Sequence, residues 1–128
     1  FGATTGRKRR CAWLDLVALK YAVMLNGVTD IILTKADVMN DFETINIATD
    51  YNINGVLTQE FPFDMNTEKI NPVYKTLQGW NTCINKIKTP EEMPPALTNY
   101  VQYIEQTINT PIHIVSVGPD RHETIFLK

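Results

Sequence analysis

The chain has 128 residues, of which 44% are hydrophobic and 20% charged. That composition excludes a disordered, collagen-like or coiled-coil protein and suits one globular segment over residues 1–128. A chain of this size buries roughly two-thirds of the surface it exposes when unfolded, so it needs no disulfide or structural metal. Cys11 and Cys83 form no CxxC pair, and with only His113 and His122 beside them no zinc site of ordinary spacing can be written. The net charge is only -2, yet Arg7, Lys8, Arg9 and Arg10 put four basic residues and no acid into the first ten positions, which leaves an acidic remainder. No run of eighteen apolar residues, secretory leader or lipidation motif occurs, so a cytoplasmic protein without a membrane partner is expected. The chain opens at Phe1, not Met, directly into a Gly/Thr/Arg loop, and a piece of a longer protein is expected.

From Cys11 to Asn26 apolar residues recur near a helical period and Gly27 follows as a C-cap, which predicts a largely buried helix. Thr29 to Thr34 is a short apolar strand of the continuous kind found in parallel sheets, and it ends at Lys35-Ala36-Asp37. Glu43 to Tyr51 predicts a strand, Asn52-Ile53-Asn54-Gly55 a hairpin turn, and Val56 to Glu60 the return strand. Phe61 to Asn71 reads as a surface insertion and Pro72 to Trp80 as another short strand. Pro90 to Pro95 opens a helix whose face is Leu97, Tyr100, Val101, Ile104 and Ile108; it stops before Pro111, where Ile112 to Val117 resumes as a strand. After the turn Gly118-Pro119-Asp120-Arg121, residues Glu123 to Lys128 would form a last, edge strand. Helix-strand units with a β-hairpin insertion give an α/β fold.

Three constellations could carry chemistry. In Gly2-Ala3-Thr4-Thr5-Gly6-Arg7-Lys8-Arg9-Arg10 small residues let backbone amides approach an anion while hydroxyls and guanidinium forks bind it, so carboxylate or phosphate is the natural ligand. The order of residues is not that of a P-loop, and a plain surface basic run is the other reading. Nucleic acid is disfavoured as a partner, because the remaining chain is acidic and no aromatic interleaves the cluster. Thr34-Lys35-Ala36-Asp37 resembles the Asn-Lys-x-Asp element of GTP-binding proteins. There a carboxylate accepts from guanine N1-H and the exocyclic amine while a lysine stem lies on the base; a solvated turn after a strand is the alternative. Val115-Ser116-Val117-Gly118-Pro119-Asp120-Arg121 is again strand-to-turn, with amides near Ser116 and Gly118 that could face a base or ribose, or it is an ordinary Gly-Pro turn. His122 reads as solvated, His113 as a packed or edge residue, and Trp13 and Trp80 as core or rim aromatics. Asp15 is either a buried carboxylate paired with an arginine of the first loop or an outward-facing residue.

Taken in order, Gly2 to Asp15, Leu33-Thr34-Lys35-Ala36-Asp37-Val38, and Ser116-Val117-Gly118-Pro119-Asp120-Arg121 resemble the carboxyl-terminal third of the adenylosuccinate synthetase family, with Gly79-Trp80 between them. The likeness runs from Phe1 through Ile125. It implies part of a mostly parallel-sheet, GTP-dependent ligase of purine biosynthesis that joins IMP to L-aspartate through 6-phosphoryl-IMP, releasing adenylosuccinate, GDP and phosphate. On the matching positions it implies an aspartate loop of Ala3, Thr4, Thr5, Gly6, Arg7, Lys8 and Arg9, with Arg7 also touching IMP and Arg9 also touching GTP. Lys35, Ala36, Asp37, Ser116, Val117 and Gly118 are implied on the guanine side. The family's phosphate loop, catalytic aspartate, general-acid histidine and Mg2+ ligands match nothing here, so no catalytic or metal-binding residue is expected in the segment, and the segment alone is expected to be inactive. A homodimer is implied for the whole enzyme. Ala12 and Ala36 depart from the usual glycine and leucine, and His122 falls at a variable position. Set against the enzyme reading is a stand-alone guanine-nucleotide-binding module without chemistry.

Overall fold

The computed structural model describes residues 2, 5–65 and 69–127. Among the described residues seven strands form two sheets, with two α-helices beside them. The first sheet holds β1 (Leu14–Asp15), β3 (Thr44–Ile53), β4 (Val56–Thr58) and β5 (Ile70–Gln78); the second holds β2 (Ile31–Leu33), β6 (Ile112–Ser116) and β7 (Thr124–Phe126). β1 runs parallel to β3, while β4 and β5 pair with β3 antiparallel. In the second sheet β6 is central, parallel to β2 and antiparallel to β7. Parallel and antiparallel pairings are therefore mixed within the chain.

The first helix, α1 (Leu16–Asn26), starts later than the periodicity predicts and is not largely buried. Its start is set by a cap: Asp15 has extended backbone and its Oδ1 accepts from Ala18 N at 3.0 Å, which satisfies one of the donors a helix N-terminus leaves free. Only Leu16 and Val17 are buried along it, whereas Met24 and Leu25 are 67% and 63% exposed. The stretch is apolar almost all round, so periodicity could mark a helix but no buried face. Gly27 closes it at φ 59, as expected of a C-cap.

The hairpin forms at Asn54-Gly55, both at positive φ (52° and 89°), the pair of left-handed residues such a turn needs. β3 is longer than predicted and its main partner is not the short β4 but the nine-residue β5, with a register shift between Ala48 and Asp50. Pro72 is accommodated because β5 is an edge strand, paired among the described residues with β3 alone. The expected opening of the second helix divides in two. Pro90–Glu92 is a short 3-10 helix whose Glu92 Oε2 accepts from Lys88 N at 2.8 Å, Met93 is extended, and α2 (Pro95–Ile108) follows. α2 buries Leu97, Tyr100, Val101, Ile104 and Ile108, the face its spacing predicts, and ends at Asn109 (φ 54) before Pro111. That face joins one hydrophobic cluster with Ile45 and Ile47 of the first sheet and Ile112, Val115, Val117 and Ile125 of or beside the second. One core thus fixes both sheets against α2.

Candidate functional site

β2 and β6 are parallel neighbours with Leu33 opposite Val115, so the segments that leave them emerge at the same edge, where ligands of open α/β sheets bind. The two guanine-side segments of the sequence reading, Lys35-Ala36-Asp37 and Ser116-Val117-Gly118, are those segments. After β2 the chain turns sharply: Lys35 has φ 61 and ψ 35, and Ala36–Met39 form a 3-10 helix. A left-handed non-glycine residue carries backbone strain that such sites often retain. Ala36 is fully buried in the core cluster, which anchors the turn and leaves Lys35 exposed and Asp37 partly buried on either side. Among the described residues the Asp37 carboxylate makes no hydrogen bond or ion pair.

Across the gap, Val117 is buried while Ser116 Oγ donates to Gly118 O at 3.0 Å. The turn after it is closed by Val117 N donating to Glu123 O and Glu123 N donating to Asp120 O, both at 2.9 Å. Glu123 Oε2 also accepts from Asp120 N at 2.9 Å. The Gly118 N-H makes no hydrogen bond among the described residues. The edge therefore presents a free carboxylate, a lysine and a backbone donor.

The basic loop curls on itself: Gly2 N donates to Arg7 O and Gly6 N to Gly2 O, both at 2.8 Å, with Gly6 at φ 62. Arg9 lies against Gly2, while Thr5, Gly6, Arg7, Lys8 and Arg9 are all exposed. Ala3 and Thr4 of the expected aspartate loop lie outside the described residues. Among the described residues no hydrogen bond or ion pair joins Thr5 to Arg10 with residues 34–37 or 116–118. The loop leads to Trp13, which stacks edge-on against Phe42 at 5.6 Å, three residues beyond the Asp37 helix.

Asp15 takes neither of its expected roles. Besides capping α1 it accepts from the Tyr51 hydroxyl, and among the described residues no arginine pairs with it. His113 does sit on a strand, with Nδ1 2.8 Å from Asp30 Oδ1. A concavity of about 580 Å³ between α1 and residues 59–61 is lined by Tyr21, Met24 and Phe61 among others, and by no residue of the two strand-end turns. Among the described residues no three His, Cys, Asp or Glu side chains gather in one place.

A family model described as adenylosuccinate synthetase matches residues 1–125. The chain belongs to the adenylosuccinate synthetase family. It is 49% identical over 125 residues to the adenylosuccinate synthetase of Flavobacterium johnsoniae and 50% identical to that of Parabacteroides distasonis, each match covering 98% of this chain. It spans about 30% of those relatives' length. A solved, fully ligated adenylosuccinate synthetase from Plasmodium falciparum superposes on all of the chain with a TM-score of 0.90 at 34% identity, and the chain covers 31% of it. The α/β fold with its hairpin is that of an adenylosuccinate synthetase segment, and both strand-end turns fall inside the match. Sequence reasoning missed Glu123; the signal for it is its place three residues after Asp120, where its carboxylate can reach back to the Asp120 N-H.

Proposed function

We propose that this chain supplies the guanine-side pocket and the aspartate-binding loop of a GTP-dependent ligase that joins IMP to L-aspartate and forms adenylosuccinate, GDP and phosphate in purine biosynthesis. The observation that carries the reading is the meeting of Lys35, Ala36 and Asp37 with Ser116, Val117 and Gly118 at the ends of two adjacent parallel strands. Asp37 would accept from guanine N1-H and the exocyclic amine, a donor pair that adenine lacks, and its partly buried carboxylate, without a partner among the described residues, fits that use. The Lys35 stem would cover the base, and the Gly118 N-H would donate to the carbonyl that distinguishes guanine. Buried polar discrimination of this kind rejects the wrong base strongly, because a mismatched ligand leaves the carboxylate without donors.

The exposed loop of Thr5, Gly6, Arg7, Lys8 and Arg9, with Ala3 and Thr4, would close on the dicarboxylate of aspartate through hydroxyl and guanidinium donors. Arg7 would also reach IMP and Arg9 GTP. Phosphoryl transfer depends on donors and metal held about the transferring group, and Mg2+ would supply that charge from ligands outside the described residues. The whole enzyme is proposed to be a cytoplasmic homodimer, with neither membrane nor nucleic acid as a partner; no helix among the described residues is long and apolar enough to cross a membrane.

Steady-state kinetics of the full-length enzyme carrying this segment test the reading. Asp37→Asn puts an amide donor against guanine's own donors and should cost GTP about 100-fold or more in kcat/KM relative to ATP. Arg7→Ala should raise the aspartate KM more than the GTP KM. Unchanged GTP preference in the first variant, or unchanged aspartate KM in the second, would sink the corresponding half of the assignment.

A further inference from the structure

The turn that carries Ser116, Val117 and Gly118 has no apolar side chain to hold its far side, since Pro119, Asp120, Arg121 and His122 are all exposed. Polar bonds hold it, and the residue that makes most of them reaches back across the turn. Glu123 bonds the turn at three places: its carbonyl takes the Val117 N-H, its own N-H goes to Asp120 O, and its Oε2 takes the Asp120 N-H, each at 2.9 Å. A Cβ at Gly118 would overlap the Glu123 carboxylate, so the carboxylate fills the space that Gly118 leaves empty. The contact is reciprocal: glycine admits the carboxylate, and the carboxylate limits where the Gly118 peptide can go. Lys88 adds an outer tie, its Nζ donating to His122 O. Lys88 is itself fastened by its N-H to Glu92 Oε2 at the 3-10 helix.

We propose that Glu123 is a positioning residue for guanine recognition, holding the Ser116 to Gly118 edge at the height from which its backbone meets the base. The proposal rests on the guanine-side reading of this edge. Glu123 touches no reacting atom. Its effect passes through the Gly118 peptide, so it should act on the nucleotide that peptide faces and on no other substrate. The backbone bonds of Glu123 survive any side-chain substitution, and what Glu123→Ala removes is the carboxylate filling of the turn and its bond from the Asp120 N-H. A loosened edge would still bind nucleotide but would lose part of its preference for guanine, because a mobile donor discriminates less than a fixed one.

The test is kinetic, in the full-length enzyme carrying this segment, with Asp37→Asn run beside it. Glu123→Ala should raise the GTP KM about tenfold, leave kcat within about threefold, and leave the IMP and aspartate KM values unchanged. Glu123→Gln should restore most of the loss, because the amide oxygen can accept from Asp120 N-H in place of Oε2. Should Glu123→Ala not fold, Glu123→Asp keeps the charge but shortens the reach by one methylene, and the same GTP-selective loss is expected at smaller size. A general loss across all three substrates, unrescued by Glu123→Gln, would mean a merely structural residue and overturn the proposal. So would an unchanged GTP KM in every Glu123 variant while Asp37→Asn loses GTP preference, since the pocket would then be real and Glu123 idle. If Asp37→Asn also leaves GTP preference intact, the guanine reading itself fails and takes this proposal with it.

Discussion

Gly79 sits where β5 ends and the chain crosses back over the beginning of β3. Its N-H donates to Glu43 O at 2.8 Å, and a Cβ there would fall 2.0 Å from the Phe42 carbonyl oxygen. Because the obstacle is backbone, no rotamer change relieves it. Gly79→Ala is expected to destabilise the fold by about 2–4 kcal/mol, which urea unfolding of the chain would show as a lower midpoint at unchanged slope. A midpoint within error of the parent would mean that Phe42 can move, and with it the Trp13 contact that ends the basic loop. The neighbouring Trp80 is buried against Tyr100, and its Nε1 is the buried side-chain polar atom without a partner among the described residues. Gly79 and Trp80 could be singled out as a pair in the sequence, but the close backbone approach that makes glycine obligatory is a tertiary fact.

At the scale of single elements, α1 shows how a helix is placed by its cap when its side chains do not choose a face. Asp15 performs two tasks with one carboxylate, capping the helix through Ala18 N and accepting from the buried Tyr51 on β3. Asp15→Ala should therefore cost more than an ordinary cap, about 2–4 kcal/mol in all, because the Tyr51 hydroxyl is left buried without an acceptor. Asp15→Asn, which keeps an acceptor oxygen for Ala18 N, should lose less. Equal losses in the two variants, measured by thermal unfolding, would show that the charge matters and not the acceptor geometry. The contrast with α2 is physical. Its apolar residues are separated by Thr98, Asn99, Gln102 and Glu105, so one face alone can be buried, and Leu97, Tyr100, Val101, Ile104 and Ile108 were legible from spacing. In α1 the polar interruptions are too few for that.

For the molecule as a whole, the core carries two tyrosines that oppose ionisation. Burial pushes the Tyr100 hydroxyl up to about 12. Tyr51 is raised as well, by burial first and then by its hydrogen bond to Asp15 and the charge of that carboxylate. The unfolded chain loses these protons near the ordinary tyrosine value of about 10, so above that pH the unfolded state binds fewer protons than the folded one and stability must fall as pH rises. It is complete below about pH 10 and drains between about 10 and 12, Tyr100 alone contributing a slope of about 1.4 kcal/mol per pH unit. Urea midpoints across that range should fall, and Tyr100→Phe should flatten the decline; a pH-independent midpoint would contradict the burial of both hydroxyls.

The sequence by itself determined the local features and the family. Asn54-Gly55 selects the hairpin turn, Pro111 ends α2, and the ordered set of Arg7 to Asp15, Lys35 to Asp37 and Ser116 to Arg121 carries the adenylosuccinate synthetase likeness, because each depends on residues adjacent in the chain. Only the tertiary structure decided which strands are neighbours and which groups are spoken for. Pairing β2 with β6 brings together two turns about eighty residues apart in sequence, β3 takes β5 and not β4 as its long partner, Asp15 is committed to Tyr51 while Asp37 has no partner among the described residues, and Glu123 closes on Gly118. The reason is that strand order and hydrogen-bond partnership are settled by which faces share one core, a competition among all the elements at once that no single segment encodes.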